Sequence, residues 1–110
     1  MATFMTQFSY SLESMKGMVG NPQDRRAAAE KVFAAAGGRI LEMYYCFGDY
    51  DGVVIAEFPS NVDAASAILA VGASGAFSSF KTTVLISMEE SMEVMKKSGE
   101  IVAAYTPPAG

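Results

Sequence analysis

Large apolar residues alternate with small or polar ones in four segments of the chain, and this period of two predicts β-strands. The segments are residues 2–10 (ATFMTQFSY), 39–47 (RILEMYYCF), 52–58 (GVVIAEF) and 80–88 (FKTTVLISM). A short hinge rich in glycine and aspartate, residues 48–52, joins the second segment to the third. The pattern therefore predicts four strands, of which the middle two form a hairpin.

Between the strands, apolar residues recur at the spacing of an amphipathic helix. Two such stripes follow the first strand: Leu12, Met15, Met18 and Val19, then Ala28, Val32, Phe33 and Ala36. They predict one helical arm that is interrupted near Gly20 and ends at Gly37 and Gly38. The predicted N-caps are Ser11, Asn21 followed by Pro22, Ser60, and Ser87 paired with Glu90. The last two caps open a helix after the third strand and another after the fourth, which is expected to run to about Ala104.

The element order is then β-α-β-β-α-β with an additional C-terminal helix, which is the ferredoxin-like pattern of the α+β class. It predicts a four-stranded antiparallel sheet with two main helices on one face. A chain of 110 residues suits one domain. We expect that domain to cover residues 1–104 and a C-terminal tail to cover residues 105–110.

Charge and cysteine content narrow the expected partners. The net charge is −4, and the eight Lys and Arg residues form no basic run, so a nucleic-acid partner is not expected. A single cysteine, Cys46, forbids an internal disulfide and fits a reducing, cytoplasmic location. No signal peptide and no apolar run of about 20 residues are evident, so no membrane partner is expected.

The hinge segment GDYD, Gly48 to Asp51, resembles the signature of the GYD domain family. The similarity extends over about residues 2–88. This family contains small, mostly bacterial proteins without a settled activity. The resemblance implies a relationship to the dimeric α+β barrels, in which two ferredoxin-like sheets pack face to face and often enclose a small ligand. Some of those relatives degrade haem, but this chain has no histidine to hold haem iron, and we expect no cofactor.

The second face of the predicted sheet is too apolar to face water alone. The set suited to packing under the helices comprises Phe4, Thr6, Phe8, Leu41, Met43, Tyr45, Phe47, Val54, Ala56 and Phe58. The opposite set, on the second face, includes Met5, Ile40, Tyr44, Val53 and Ile55. A second sheet or a ligand is the natural cover for such a face. The pattern therefore predicts a homodimer or a larger homo-oligomer, with room for a small organic ligand.

Glu57 is the strongest candidate for a functional residue, because a carboxylate on a central strand is costly to bury without a partner. In the functional interpretation it is a ligand anchor or general base, with Gln7 and Tyr44 as neighbouring donors. In the structural interpretation it is a solvated ion or a partner of Lys81 or Arg39.

The hinge has two interpretations as well. Tyr50 and Asp51 are candidates for the rim of a ligand cavity. Alternatively, the hinge glycines supply positive φ angles at Gly48 and Gly52, and its aspartates bond to nearby amides. Cys46 lacks a histidine partner and is interpreted as a packing residue.

One methionine row lies on the C-terminal helix, at Met88, Met92 and Met95, and it predicts packing; no metal site is expected.

Two functional classes remain open from the sequence. The first is a module that binds a small molecule, or a cofactor-independent enzyme of the dimeric α+β barrel type. The second is a non-catalytic module for protein–protein interaction. No arrangement of residues identifies a catalytic group.

Overall fold

The computed structural model describes residues 1–109 as four strands, four α-helices and a final 3₁₀ turn. In chain order the elements are β1 (Ala2–Tyr10), α1 (Leu12–Gly20), α2 (Arg25–Ala35), β2 (Arg39–Tyr45), β3 (Gly52–Phe58), α3 (Asn61–Gly72), β4 (Phe77–Leu85), α4 (Met88–Ile101) and the 3₁₀ turn Val102–Ala104. The predicted order is confirmed. The fourth strand begins and ends three residues earlier than predicted, because Phe77 and Ser79 already pair with β1. The last residue of the predicted tail, Gly110, lies outside the described residues.

The four strands form one sheet in the order β2-β3-β1-β4, and every neighbouring pair is antiparallel. The α+β class and the antiparallel sheet are therefore as predicted. β1 and β3 are the central strands, whereas β2 and β4 are the edges. Phe4 lies opposite Ala56, and Phe8 lies opposite Gly52, so the buried residues of the two central strands share one face.

That face carries the hydrophobic core. Phe58 is 2% exposed, and its ring lies 6.0 Å from Phe4 and 5.1 Å from Phe33 of α2, measured between ring centroids. Ala64 and Ala67 of α3 are also buried against this face. Burying a large apolar side chain stabilises the fold by roughly 1.5–3 kcal/mol. The packing of these residues therefore stabilises the contact of α2 and α3 with the sheet.

Most of the predicted helix caps are confirmed. The hydroxyls of Ser11, Ser60 and Ser87 each accept a hydrogen bond from the backbone amide three residues later. The predicted cap at Asn21 is wrong: α2 is capped by Asp24, whose carboxylate accepts from the amides of residues 26 and 27. Asn21 instead terminates α1, because its amide bonds back to the Gly17 carbonyl.

A β-bulge in β2 overturns part of the predicted face assignment. Arg39 and Ile40 pair with Glu57 and Ala56, but the register then shifts so that Glu42 pairs with Ile55. A shift of one residue moves a side chain to the other face of a sheet. Ile40 consequently packs against the core on the helix side, and its predicted place on the open face is wrong.

The outer end of β2 is less covered than predicted. Met43 does pack against the core, as expected for the helix side. Tyr45 is 75% exposed and Phe47 is 92% exposed, however, so these two rings are not packed under helices.

α4 extends from the end of β4 and contributes no buried residue. The chain measures 60 × 32 × 23 Å, and its Cα radius of gyration is 17.9 Å. A compact domain of this length has a radius of gyration of about 13 Å, so the molecule is distinctly elongated.

Candidate functional site

The open face of the sheet brings some of the predicted site residues together and separates others. Gln7 and Tyr44 lie on either side of Val53, because both pair with it across the sheet. Glu57 is on the same face but four residues further along β3, which is roughly 13 Å at the rise of an extended strand. Within one chain, the predicted grouping of Glu57 with Tyr44 and Gln7 is therefore wrong.

Glu57 forms an ion pair with Arg39, the residue opposite it in the sheet. The Arg39 Nε atom donates to Glu57 Oε1 at 2.6 Å. The Glu57 side chain is 21% exposed and that of Arg39 is 70% exposed. This is one of the two structural partners that the sequence suggested for Glu57.

Asp51 fastens the hinge to the end of β1. Its Oδ2 atom accepts a hydrogen bond from the Tyr10 amide at 2.9 Å, and its own amide donates to the Phe8 carbonyl at 2.9 Å. The Cys46 amide donates to the Asp51 carbonyl at 2.8 Å. These bonds hold three segments together, and they agree with the prediction that a hinge aspartate bonds to nearby amides.

The hinge glycines have different roles. Gly48 has a φ angle of +156°, as predicted, but Gly52 does not have a positive φ angle. A glycine is required at position 52, because the Cβ atom of any other residue would overlap the Phe8 ring. Cys46 is half-buried, and its Sγ atom lies 3.3 Å from the Tyr50 carbonyl oxygen, which is consistent with a packing residue.

A cleft of about 540 Å³ lies beside this hinge, and we call it the Tyr10 cleft. Its apolar lining comes from α1, the following loop and β2, and its polar lining comes mainly from the start of α2 and from the hinge. The lining residues are Tyr10, Met15, Met18, Val19, Pro22, Gln23, Asp24, Arg25, Arg26, Met43, Tyr44, Tyr45 and Asp51. Its volume lies within the range of roughly 300–1,000 Å³ that is typical of small-molecule sites.

Arg25 is the distinctive charge in the Tyr10 cleft. The residue as a whole is half-buried, and its guanidinium donates to the Gln23 side-chain oxygen at 2.9 Å. Arg26 instead forms an ion pair with Glu30 on the surface of α2. Among residues 1–109, Arg25 takes part in no ion pair, so its charge is left to interact with whatever occupies the cleft.

The Tyr10 hydroxyl is a second polar group of the cleft. Burial raises the pKa of Tyr10, and the neighbouring Arg25 guanidinium opposes part of that rise. The ring is 6% exposed and stacks on Phe77, with 5.1 Å between the centroids. A tyrosine phenol is protonated at neutral pH even at its ordinary pKa, so the Tyr10 hydroxyl can donate a hydrogen bond there.

The Tyr44 hydroxyl donates to Glu42 Oε2 at 3.1 Å. This hydrogen bond and the negative charge of Glu42 both raise the pKa of Tyr44. Tyr44 is 58% exposed, so it is available to a ligand or to a second protein surface.

Of the ligand-binding candidates drawn from the sequence, Tyr44 and Asp51 line the Tyr10 cleft, whereas Gln7, Tyr50 and Glu57 do not. Tyr10 and Arg25 were not among the site residues expected from the sequence. The stripe of α1 that contains Met15 was predicted as the apolar side of a helix, and in the structure α1 has no buried residue. The sequence did contain a signal for this site: Tyr10 ends β1, and Arg25 begins α2.

Neither a metal-binding cluster nor a membrane-spanning helix is found within residues 1–109. No group of three or more His, Cys, Asp or Glu side chains within residues 1–109 has the arrangement of a metal site. None of the helices in that range has both the length and the apolar character needed to cross a membrane.

Several solved structures resemble the fold. MtbAldR (Rv2779c) gives a TM-score of 0.54 at 12% identity over 78% of this chain and 52% of its own length. TTHA0845 from Thermus thermophilus gives a TM-score of 0.51 at 17% identity, over 79% of this chain and 95% of its own. These likenesses show the fold alone.

No curated protein sequence matches the chain. The GYD domain model, in contrast, matches residues 4–95, which run from the third residue of β1 to the middle of α4. The expectation drawn from the GDYD segment is thus confirmed: this chain belongs to the GYD domain family.

Proposed function

We propose that this protein is a binding module for a small organic anion with an apolar body, and that the ligand occupies the Tyr10 cleft. The observation that carries the proposal is Arg25, a half-buried residue without an ion pair in residues 1–109, at the wall of a largely apolar cleft. Ligand pockets commonly combine an apolar lining with a few polar groups that fix orientation. A carboxylate fits, because arginine binds it through two parallel hydrogen bonds.

The surrounding groups favour the same ligand class. α2 begins at Arg25, so the partial positive charge of its N-terminus adds to the guanidinium charge. The two nearby carboxylates make backbone hydrogen bonds and no ion pair with Arg25 among residues 1–109: Asp24 caps α2, and Asp51 accepts from the Tyr10 amide. Met15 and Met18 supply adaptable apolar contacts for the body of the ligand.

The experiment is a thermal-shift screen with a panel of aliphatic and aromatic carboxylates, followed by calorimetry on any compound that binds. Arg25→Gln should weaken binding of such a compound by about 10–100-fold, since hydrogen bonds to charged groups contribute about 1.5–3 kcal/mol. Lys31→Gln is the matched control, because Lys31 is an exposed cation of the same helix and does not line the cleft. Equal affinities for the Arg25 variant and the wild type would refute this site.

The open face of the sheet supports a second part of the proposal, which is that a second copy covers it. Met5, Val53 and Ile55 are neighbours on that face, and all three are only half-buried in the single chain. Placing a charge there, as in Ile55→Lys, should lower the oligomeric mass measured by light scattering. An unchanged mass for Ile55→Lys would show that this face is not an interface.

Gln7, Tyr44 and Glu57 would then lie between the two sheets, where residues of two copies can meet. Glu57→Gln keeps the shape of the side chain and removes its charge. Loss of binding with unchanged stability would place a ligand between the sheets, and unaffected binding would leave Glu57 with its structural role beside Arg39.

A further inference from the structure

The C-terminal helix α4 presents a row of large apolar side chains to solvent. Met88 is 81% exposed, Met92 70%, Met95 66% and Val102, in the following turn, 71%. These positions are spaced so that they fall on one side of a helix. The acidic and basic residues of the segment lie on the other side by the same spacing; they are Glu89, Glu90, Glu93, Lys96, Lys97 and Glu100. An amphipathic helix of this kind is stable when its apolar side is covered.

The same chain also has an apolar groove of about 510 Å³ between α3 and β4. Its lining residues are Phe4, Asn61, Ala64, Ala65, Ile68, Leu69, Thr82 and Val84. Leu69 is 76% exposed and Val84 is 57% exposed, so both walls of the groove have apolar side chains facing water. Phe4, Thr82 and Val84 belong to the sheet face that the helices cover elsewhere, and the groove is the part of that face over the edge strand β4.

We propose that α4 of one copy of this chain docks in the α3–β4 groove of a second copy, and that the exchange is reciprocal. A helix in this groove would lie beside α3 and extend the helical layer over β4. Alanines at 64 and 65 let a helix approach α3 closely, and methionine side chains adapt to an irregular groove. This contact is separate from the Tyr10 cleft and from the open face of the sheet.

The shape of the molecule favours a second copy as the occupant of the α3–β4 groove. Only residues 86 and 87 connect β4 to α4, and α4 continues away from the sheet to give the chain its 60 Å length. The helix therefore leaves its own groove open. Reciprocal exchange of an identical element closes both grooves around a two-fold axis and covers the apolar side of both helices.

The area available is sufficient for a stable dimer. If four side chains of the α4 row each bury about 100 Å², one helix contributes roughly 400 Å². The groove loses a similar area, and the exchange happens twice, so the total is about 1,600 Å², which is the typical size of a specific protein–protein interface.

Disulfide trapping between two differently labelled chains tests this contact. Both chains carry Cys46→Ser to remove the native thiol; one also carries Ala65→Cys in the groove, and the other carries Met92→Cys on α4. After mixing and mild oxidation we expect a covalent pair of the two different chains, identified by its mass. Replacing Met92→Cys by Glu93→Cys moves the thiol to the charged side of α4 and should reduce the yield of this pair several-fold.

Two outcomes would overturn the proposal. One is the absence of the mixed pair, or its equal yield from the Glu93 variant. The other is a single chain with Ala65→Cys and Met92→Cys that oxidises within itself, because α4 would then fold back on its own groove. Met92→Lys, measured by light scattering over a dilution series, should raise the dissociation constant of this contact about 100-fold, since both halves of the exchange lose a buried side chain. Ile55→Lys should leave the trapped pair intact, which separates this interface from one on the open face.

Discussion

The hydrogen bond from the Tyr10 amide to Asp51 allows a direct test of what the GDYD segment does. The perturbation is Asp51→Ala, which removes the acceptor and leaves the Tyr10 amide without its partner. Tyr10 is 6% exposed, so water does not readily replace the lost carboxylate. The backbone of β1 at this position would then have an unsatisfied buried donor.

The expected loss of stability follows from the type of bond. Leaving a buried donor unsatisfied costs about 1–3 kcal/mol, and hydrogen bonds to charged acceptors lie at the upper end of the range. The backbone bonds of Asp51 to Phe8 and Cys46 remain, since they do not involve its side chain. We therefore expect the free energy of unfolding to fall by about 2 kcal/mol.

The assay is urea unfolding followed by circular dichroism at a fixed protein concentration, because self-association makes apparent stability depend on concentration. Asp49→Ala is the matched control: Asp49 is exposed in the same hinge, and no hydrogen bond of its side chain is found among residues 1–109. A surface change of this kind should stay within about 0.5 kcal/mol. Equal losses for the two variants would refute the assignment of a special role to Asp51.

Three further results are expected from single substitutions. Phe58→Ala should lower the free energy of unfolding by about 3–5 kcal/mol in urea titrations, because its ring fills the centre of the core, and a loss below about 1 kcal/mol would contradict that placement. Gly52→Ala should cost about 1–3 kcal/mol, since the Phe8 ring occupies the space of the new methyl group, and Gly20→Ala, which meets no atom within 4 Å and needs no positive φ angle, is the steric comparison. Glu42→Gln should lower the pKa of Tyr44 towards its ordinary value, because the carboxylate that stabilises the protonated phenol is lost. Absorbance titration of tyrosinate above about pH 9 measures this pKa. An unchanged titration curve would contradict the contact between Tyr44 and Glu42.

The sequence was most informative where one face of an element is buried and the other is not. Alternation in β1 and β3 identified Phe4, Phe8 and Phe58 as core residues, because a period of two directly separates the faces of a strand. The serine caps were equally predictable, since a hydroxyl just before a helix commonly accepts a hydrogen bond from a backbone amide of the first turn.

The sequence was least informative at β2 and α1. The bulge that moves Ile40 to the helix side inserts one residue without a glycine or proline to mark it, so an uninterrupted alternation was the natural expectation. In α1, the stripe containing Met15 and Val19 has the spacing of a buried face, yet Met15 is 42% exposed and Val19 is 83% exposed. Periodicity shows which side of a helix is apolar, but it does not show whether that side meets the core, a ligand or another chain.

This distinction bears on what the family signature can predict. Asp51 of the GDYD segment bonds to the backbone of Tyr10, and Gly52, the residue that follows the segment, receives the Phe8 ring. Both interactions fix the end of β1 beside the hinge, and through Tyr10 they shape one wall of the cleft. The chemistry proposed for that cleft depends instead on Arg25, which lies outside the segment, at the start of α2. In a chain that keeps the GDYD segment but carries an uncharged residue at the position of Arg25, we therefore expect the same hinge geometry and a different ligand preference.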